Sequence, residues 1–169
     1  MSLASLPSPP TPARVRLGLL LFYDARLSAD GTVACATCHQ PQYAFSVPTA
    51  FGTGIRGQHT TRKPPALIDL AAALYPWVFR DGRAPSLEAQ ALQPIANSAE
   101  MGNTVDGMVR TLRAVRGYRP YFVDAFGTPE ITGARVAHAI SDYERTRLSG
   151  NSPGIAGAAT MMNQRCPIR

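Results

Sequence analysis

The stretch Cys35-Ala36-Thr37-Cys38-His39 decides how this chain is read, because it sets two thiols three residues apart and places an imidazole directly after them. In a covalently attached haem, two thiols add to the two porphyrin vinyl groups, and the histidine that follows reaches the iron from one face. Two intervening residues make about one helical turn, which spaces the sulfurs to the vinyls and leaves His39 beneath the ring. A zinc site needs four ligands, usually with a second Cys/His pair at similar spacing, and only Cys166, His59 and His138 remain, scattered along the chain. A thioredoxin-type redox pair needs a strand before it, whereas Cys35 follows the turn sequence Ser28-Ala29-Asp30-Gly31-Thr32. The pentad therefore points to one haem c, tethered through Cys35 and Cys38, with His39 as the proximal iron ligand.

Outward from the pentad, the composition sets the frame. The 169 residues correspond to one ordinary domain, with 45% hydrophobic content and a formal charge of +6, which excludes global disorder. The longest apolar run near the start, Leu19 to Tyr23, is closed by Asp24 and preceded by Arg14 and Arg16, so no membrane span is expected. Three cysteines, two of them in the pentad, do not make a disulfide framework. Fifteen prolines and fourteen glycines imply many loops. The arginines Arg110, Arg113, Arg116 and Arg119 follow a helix into its turn without stacking aromatics, so nucleic acid is not expected as a partner.

Along the chain, residues 1–12 read as a disordered, proline-rich leader without the features of a signal peptide, and residues 151–169 as a disordered tail. Between them, 13–150 read as a mainly α, cytochrome c-like haem domain with long loops. The patterning predicts a helix over 13–23 with an apolar set at Val15, Leu19 and Phe22. A buried helical turn is expected within 66–74, and a short helix over 87–92 capped by Ser86. Thr104 opens a helix whose face carries Val105, Met108, Val109, Leu112 and Val115. Another helix is predicted over 121–126, stopped by Gly127. Thr132 caps a last one with Val136, Ala139, Ile140 and Tyr143 inside, and with Glu144, Arg145 and Arg147 facing water. His138 reads as exposed on that helix, and Met108 as core. The segment from Gln40 to Pro65 looks like an active-site loop.

With these residues laid out, the chain resembles the bacterial di-haem cytochrome c peroxidase family, which includes the methylamine utilization di-haem enzymes, over about residues 14–153. The blocks are Arg16-Leu17-Gly18, Leu21-Phe22-Tyr23-Asp24, Leu27-Ser28, Asp30-Gly31, the pentad, Asp81-Gly82-Arg83-Ala84, Gln90, Pro94-Ile95, Asn97, Glu100-Met101-Gly102 and Tyr143-Glu144-Arg145-Thr146. They match the family's N-terminal domain, which carries the peroxidatic haem. The resemblance implies Glu100 as the distal acid/base and Gln90 as the group that holds peroxide. A carboxylate beside a haem can take a proton from one peroxide oxygen and deliver it to the other, and an amide N–H can support the oxygen gaining charge. From residue type alone, Glu100 reads as a solvated turn residue and Gln90 as a polar helix position.

Family members often place a loop histidine on the iron's other face. His59 is the candidate here, and a surface loop histidine is the competing reading. Met101 reads as packing. Arg83, with other arginines, is a candidate partner of the haem propionates. Two departures stand out. The family's Trp-Asp-Gly-Arg has Arg80 in the tryptophan's place, with Trp77 three residues earlier. Its Arg-Asn-Ala-Pro is Arg62-Lys63-Pro64-Pro65, where a cation replaces a calcium-site residue, so calcium is not expected.

The function implied is reduction of hydrogen peroxide to water with electrons from a small redox protein, in the periplasm where haem c is attached. The resemblance ends near Pro153, so a second haem domain is expected to be absent from this chain. Trp77, Tyr43 or a partner haem domain would then lend the second electron. A mono-haem electron-transfer cytochrome and an inactive fragment of a di-haem enzyme are the alternatives.

Overall fold

The computed structural model of the protein describes residues 8–70 and 81–149. Its elements are six helices among the described residues: α1 (Pro12–Phe22), α2 (Cys35–Cys38), α3 (Leu87–Ala96), α4 (Val105–Ala114), α5 (Tyr118–Phe126) and α6 (Gly133–Arg145), with three short 3-10 turns between them. Extended pairing among the described residues includes the isolated bridges of Gln40 with Ser46 and of Thr53 with His59. The fold is mainly helical, as the sequence indicates.

Local chemistry explains the boundaries. Thr11 caps α1 by accepting from the Arg14 amide at 3.3 Å, and Pro12 stands at the first turn, where its missing N–H costs nothing. Ser86, Thr104 and Thr132 cap α3, α4 and α6 in the same way. Gly127, with φ at 76°, closes α5 in the left-handed conformation that suits glycine. Two helices are longer than expected. α3 runs through Pro94 to Ala96, where the Asn97 amide closes its end on the Gln93 and Pro94 carbonyls, and α5 begins at Tyr118.

The core forms where α6 lies across α1 and α3. Gly18 makes the α1–α6 approach possible: a Cβ there would sit 1.9 Å from the Ala139 carbonyl oxygen. Leu17, Leu21 and Phe22 of α1 meet Ala139, Ile140 and Tyr143 of α6 in one buried cluster with Ile95, Met108 and Leu112. Tyr118 of α5 donates to Asp24 at 2.6 Å and ties the end of α1 down.

Several expectations change. The apolar face of α1 is Leu17, Leu21 and Phe22, while Leu19 is 42% exposed, because close contact at Gly18 rotates that side of the helix onto α6. Residues 66–70 form no helix: Asp69 has φ at 62°, its amide donates to the Arg147 carbonyl, and its carboxylate accepts from the Ser149 amide and hydroxyl. Residues 71–74 of that expected turn lie outside the described residues, as do Trp77, Arg80, residues 1–7 and the tail with Met161, Met162 and Cys166. Within the expected leader, Thr11 and Pro12 belong to the start of α1, and the Pro9 carbonyl accepts from Arg14. His138 is half-buried beside the Phe126 ring, 3.9 Å from the Asp142 carboxylate. Glu144 is not on the water face of α6: it is 4% exposed. Arg145 is also drawn in, through ion pairs with Glu88 at 2.6 Å and Asp142 at 3.3 Å.

Candidate functional site

The pentad forms the turn its spacing predicts. Cys35–Cys38 is a single helical turn, closed by the His39 amide on the Cys35 carbonyl at 2.9 Å. Thr37 stabilises its start by accepting from the Ala34 amide at 3.0 Å. The chain then reverses. Gln40 and Ser46 pair, and Ala44 and Phe45 both adopt left-handed φ, 56° and 57°. Neither is glycine, so this conformation costs on the order of 1–3 kcal/mol per residue. Its result is the Phe45 carbonyl oxygen, which sits 2.8 Å from His39 Nδ1. A carbonyl accepts only, so Nδ1 carries the proton and Nε2 keeps its lone pair free for a metal. Burial holds the His39 pKa below its ordinary value, which keeps the ring neutral and fit to coordinate. The buried Phe22 ring lies 6.3 Å from both the His39 and Phe45 rings and backs the turn.

Both cysteine thiols are free. Burial pushes the Cys35 thiol up to about 12 and raises Cys38 as well, so both are neutral thiols at pH 7. Gly52 leaves the space beside Cys38, since a Cβ there would stand 3.0 Å from the sulfur.

The thiols and His39 open onto one cavity of about 1320 Å³. Gln90, Glu100, Arg83 and Tyr43 line it as well, so it gathers the pentad and the two expected distal residues although 65 positions separate Cys35 from Glu100. Gln90 reaches it from α3, and its Oε1 is buried without a partner. Glu100 comes from the turn after α3, which is held from several directions. The Asn97 carbonyl accepts from the Glu100 and Gly102 amides, the Ile55 amide donates to the Glu100 carbonyl at 2.8 Å, and the Ala29 amide donates to the Met101 carbonyl at 2.9 Å. Gly54 permits this approach, because a Cβ there would meet the Ala99 carbonyl oxygen at 2.1 Å. Burial raises the Glu100 pKa against the opposing hydrogen bond that Asn97 Nδ2 donates to its Oε1 at 2.9 Å.

Arg83 lies at the cavity's edge, bound to Asp81 at 2.8 Å and to Gln93 at 3.2 Å. His59 is a different matter. It is exposed and paired with Thr53 in a bridge that the Gly54 amide reinforces by donating to Gln58. That hairpin turns its neighbours Thr60 and Thr61 toward the cavity, and His59 does not line it, so the expected distal ligand is not brought to the site. Met101 is buried in the core cluster, as its packing reading expects, and one edge of it lines the cavity.

Two participants escape a reading of the sequence. The Phe45 carbonyl depends on backbone conformation, which no side chain announces. Glu144 lines the cavity with Oε2 buried and unpartnered, and burial pushes its carboxyl up to about 8. A signal for it did exist, since Glu144 follows Ile140 by four residues and so shares its face of α6.

These features fit a covalently held haem. The cavity exceeds the roughly 300–1,000 Å³ of ordinary small-molecule pockets, joins both thiols to a correctly protonated imidazole, and contains two buried oxygens without partners. His39 would hold the iron, Cys35 and Cys38 the porphyrin edge.

Comparison with known proteins agrees. Residues 12–154 match the family model of di-haem cytochrome c peroxidases. Methylamine utilization protein MauG of Methylorubrum extorquens is 43% identical over 148 residues, covering 86% of this chain and 41% of that protein. Cytochrome c551 peroxidase of Nitrosomonas europaea is 32% identical over 136 residues, covering 80% and 40%. The crystal structure of a MauG-like protein associated with microbial copper homeostasis superposes with a TM-score of 0.81 at 29% identity, covering 90% of this chain and 45% of that one. The chain thus spans about two fifths of the length of these curated relatives.

Proposed function

The chain belongs to the di-haem cytochrome c peroxidase family, which uses haem c, and from that premise we propose that it is a peroxide-reducing haem domain. One observation carries the reading: a single cavity collects the tethering thiols, an imidazole protonated on the correct nitrogen, and the Gln90 and Glu100 side chains. Haem c, when attached, supplies a redox-active iron at which peroxide binds. Glu100 takes the proton from one peroxide oxygen and returns it to the oxygen that leaves as water. Its raised pKa suits both halves of that exchange. Gln90 donates its amide N–H to the oxygen that gains charge, while Asn97 steadies the carboxylate.

The O–O bond breaks with two electrons and two protons. The electrons come from a small redox protein through a second haem domain, or in part from Tyr43 at the cavity or from Trp77. Arg83 at the cavity edge pairs with a propionate. Haem attachment places the protein in the periplasm. A second reading, a mono-haem electron carrier, draws on Met101, which lines the same cavity as His39 and whose thioether is of a kind that would hold a haem iron together with a histidine.

A haem-stained denaturing gel followed by peroxide titration of the visible spectrum tests this. The expected result is a covalent stain and a spectrum that shifts with added peroxide. A stained protein with a low-spin spectrum unchanged by peroxide in either redox state would favour the carrier. An unstained one, after expression with a haem-attachment system, would defeat both readings.

A further inference from the structure

Glu144 has no task in the scheme above, yet it is the most deeply buried carboxylate facing the cavity. Burial outweighs the one opposite charge that acts on it, Arg145, and Glu88 opposes that charge. On its own helix, Arg145 forms ion pairs with Glu88 and Asp142, and just beyond the helix end Arg147 lies over the Tyr143 ring at 4.4 Å with Nη2 on the Thr146 hydroxyl and Nε buried without a partner. From α3, Glu88 presents a like charge, and Gln90 contributes a carbonyl-type oxygen that is also unpartnered. From α1, Arg14 is bound to Asp142 at 2.5 Å, and Tyr23, just past the end of α1, is hydrogen-bonded through its hydroxyl to Tyr143. From α2, Cys35 presents a neutral thiol that haem attachment would convert to an uncharged thioether. His39 is bonded to the Phe45 carbonyl instead. Such a carboxyl is stable only while it holds its proton. A buried oxygen facing a cavity without a protein partner is also a group awaiting one from what fills the space.

We propose that Glu144 is a second proton-holding carboxyl of the site: it keeps its proton through a change of one electron until the pH is high enough for the oxidised site to release it, and above that pH it takes up one proton as the electron enters and releases it as the electron leaves. An added electron makes the cavity more negative by one charge, and a carboxylate in the same low-dielectric space then binds a proton more tightly. Buried charges are poorly screened by salt, so the coupling persists at physiological ionic strength. The electron comes from any one-electron donor and the proton from solvent water, so charge within the cavity is conserved. Peroxide reduction consumes two protons; Glu100 relays the one already on peroxide, and Glu144 holds a further one inside the site. This rests on haem being attached, and not on peroxide turnover.

The test is the midpoint potential of the haem-loaded protein, followed optically across about pH 6–10. In the unmodified protein the potential is level at the acid end, where Glu144 holds its proton in both redox states, and falls with pH at the alkaline end, approaching the ~59 mV per unit that one proton per electron requires. In Glu144→Gln that stretch is flat. A flat profile in the unmodified protein, or a slope retained in Glu144→Gln, overturns the proposal. The infrared difference between reduced and oxidised unmodified protein gives a readout that does not depend on the variant folding. At the alkaline end of the range a protonated-carboxyl band gained on reduction is expected, and its absence overturns the proposal. Loss of peroxide reactivity with the slope intact would defeat the peroxidase reading alone, whereas a flat potential with turnover intact would defeat this one alone.

Discussion

Gly18→Ala is expected to destabilise the protein although alanine is the better helix former. The added Cβ would lie 1.9 Å from the Ala139 carbonyl oxygen, 2.6 Å from its carbon and 2.9 Å from the Tyr143 Cβ. Close carbon–oxygen contacts begin near ~3.3 Å, so α1 and α6 must separate by about 1.4 Å. The obstacle is backbone and cannot rotate away. Overpacking costs typically ~1–3 kcal/mol, and the upper end applies here; helix propensity returns about 1 kcal/mol, leaving a net loss of about 2 kcal/mol. For a chain of this size that is roughly 4–8 °C in Tm, or about 1 M in the urea midpoint. Urea titrations followed by circular dichroism, on haem-loaded protein, measure it. Gly117→Ala is the matched control: nothing lies within 4 Å of its Cβ position, and φ is −61°. It should stay within about 1 kcal/mol of the parent. If Gly18→Ala matches the control or exceeds the parent in stability, the reasoning about the α1–α6 crossing is refuted.

Three further outcomes follow from the site. Gly54→Ala drives a Cβ to 2.1 Å from the Ala99 carbonyl oxygen, so the Glu100 turn must move; peroxide reactivity should fall at least tenfold, the equivalent of ~1.4 kcal/mol, with haem still attached. Asn97→Ala removes a hydrogen bond that favours the charged form of Glu100, so the acid limb of the pH–rate profile should move to higher pH; no movement would separate Glu100 from the rate. In the haem-free chain, burial raises Glu144 from 4.5 to about 8, so the folded state keeps a proton that the unfolded state releases. Stability should therefore decline as pH rises through that window and level off above about 8, and urea midpoints of Glu144→Gln should lack this component.

The parts of the molecule that the sequence announces are those governed by local chemistry. The pentad turn needs only its own spacing, and the Ser86, Thr104 and Thr132 caps need only a hydroxyl ahead of a helix. What stays hidden depends on neighbours far along the chain. Leu19 and Leu17 are equally apolar, and only the approach of α6 at Gly18 decides which is covered. Glu144 looks like a surface residue until α6 is packed against both α1 and α3, which leaves that helix little room for a water face near its end. His59 fails for a related reason, since a long loop can place a histidine almost anywhere and the Thr53 pairing settles it outward. Pro94 suggests an earlier end to α3 than the chain adopts, because tertiary packing of Ala91 and Ile95 carries the helix past it.

The left-handed pair at Ala44 and Phe45 bears on design. A minimal peptide that copies Cys35 to His39 would acquire attachment points and an imidazole, yet the ring would be free to spin, because the carbonyl that fixes it lies six residues downstream. A transplant that is to set the iron's axial bond therefore has a shortest useful length, running from Ala34 through Ser46 and including the reversal between them. Within it, residue 44 is where glycine could replace alanine to ease the turn without touching any atom that the haem would meet.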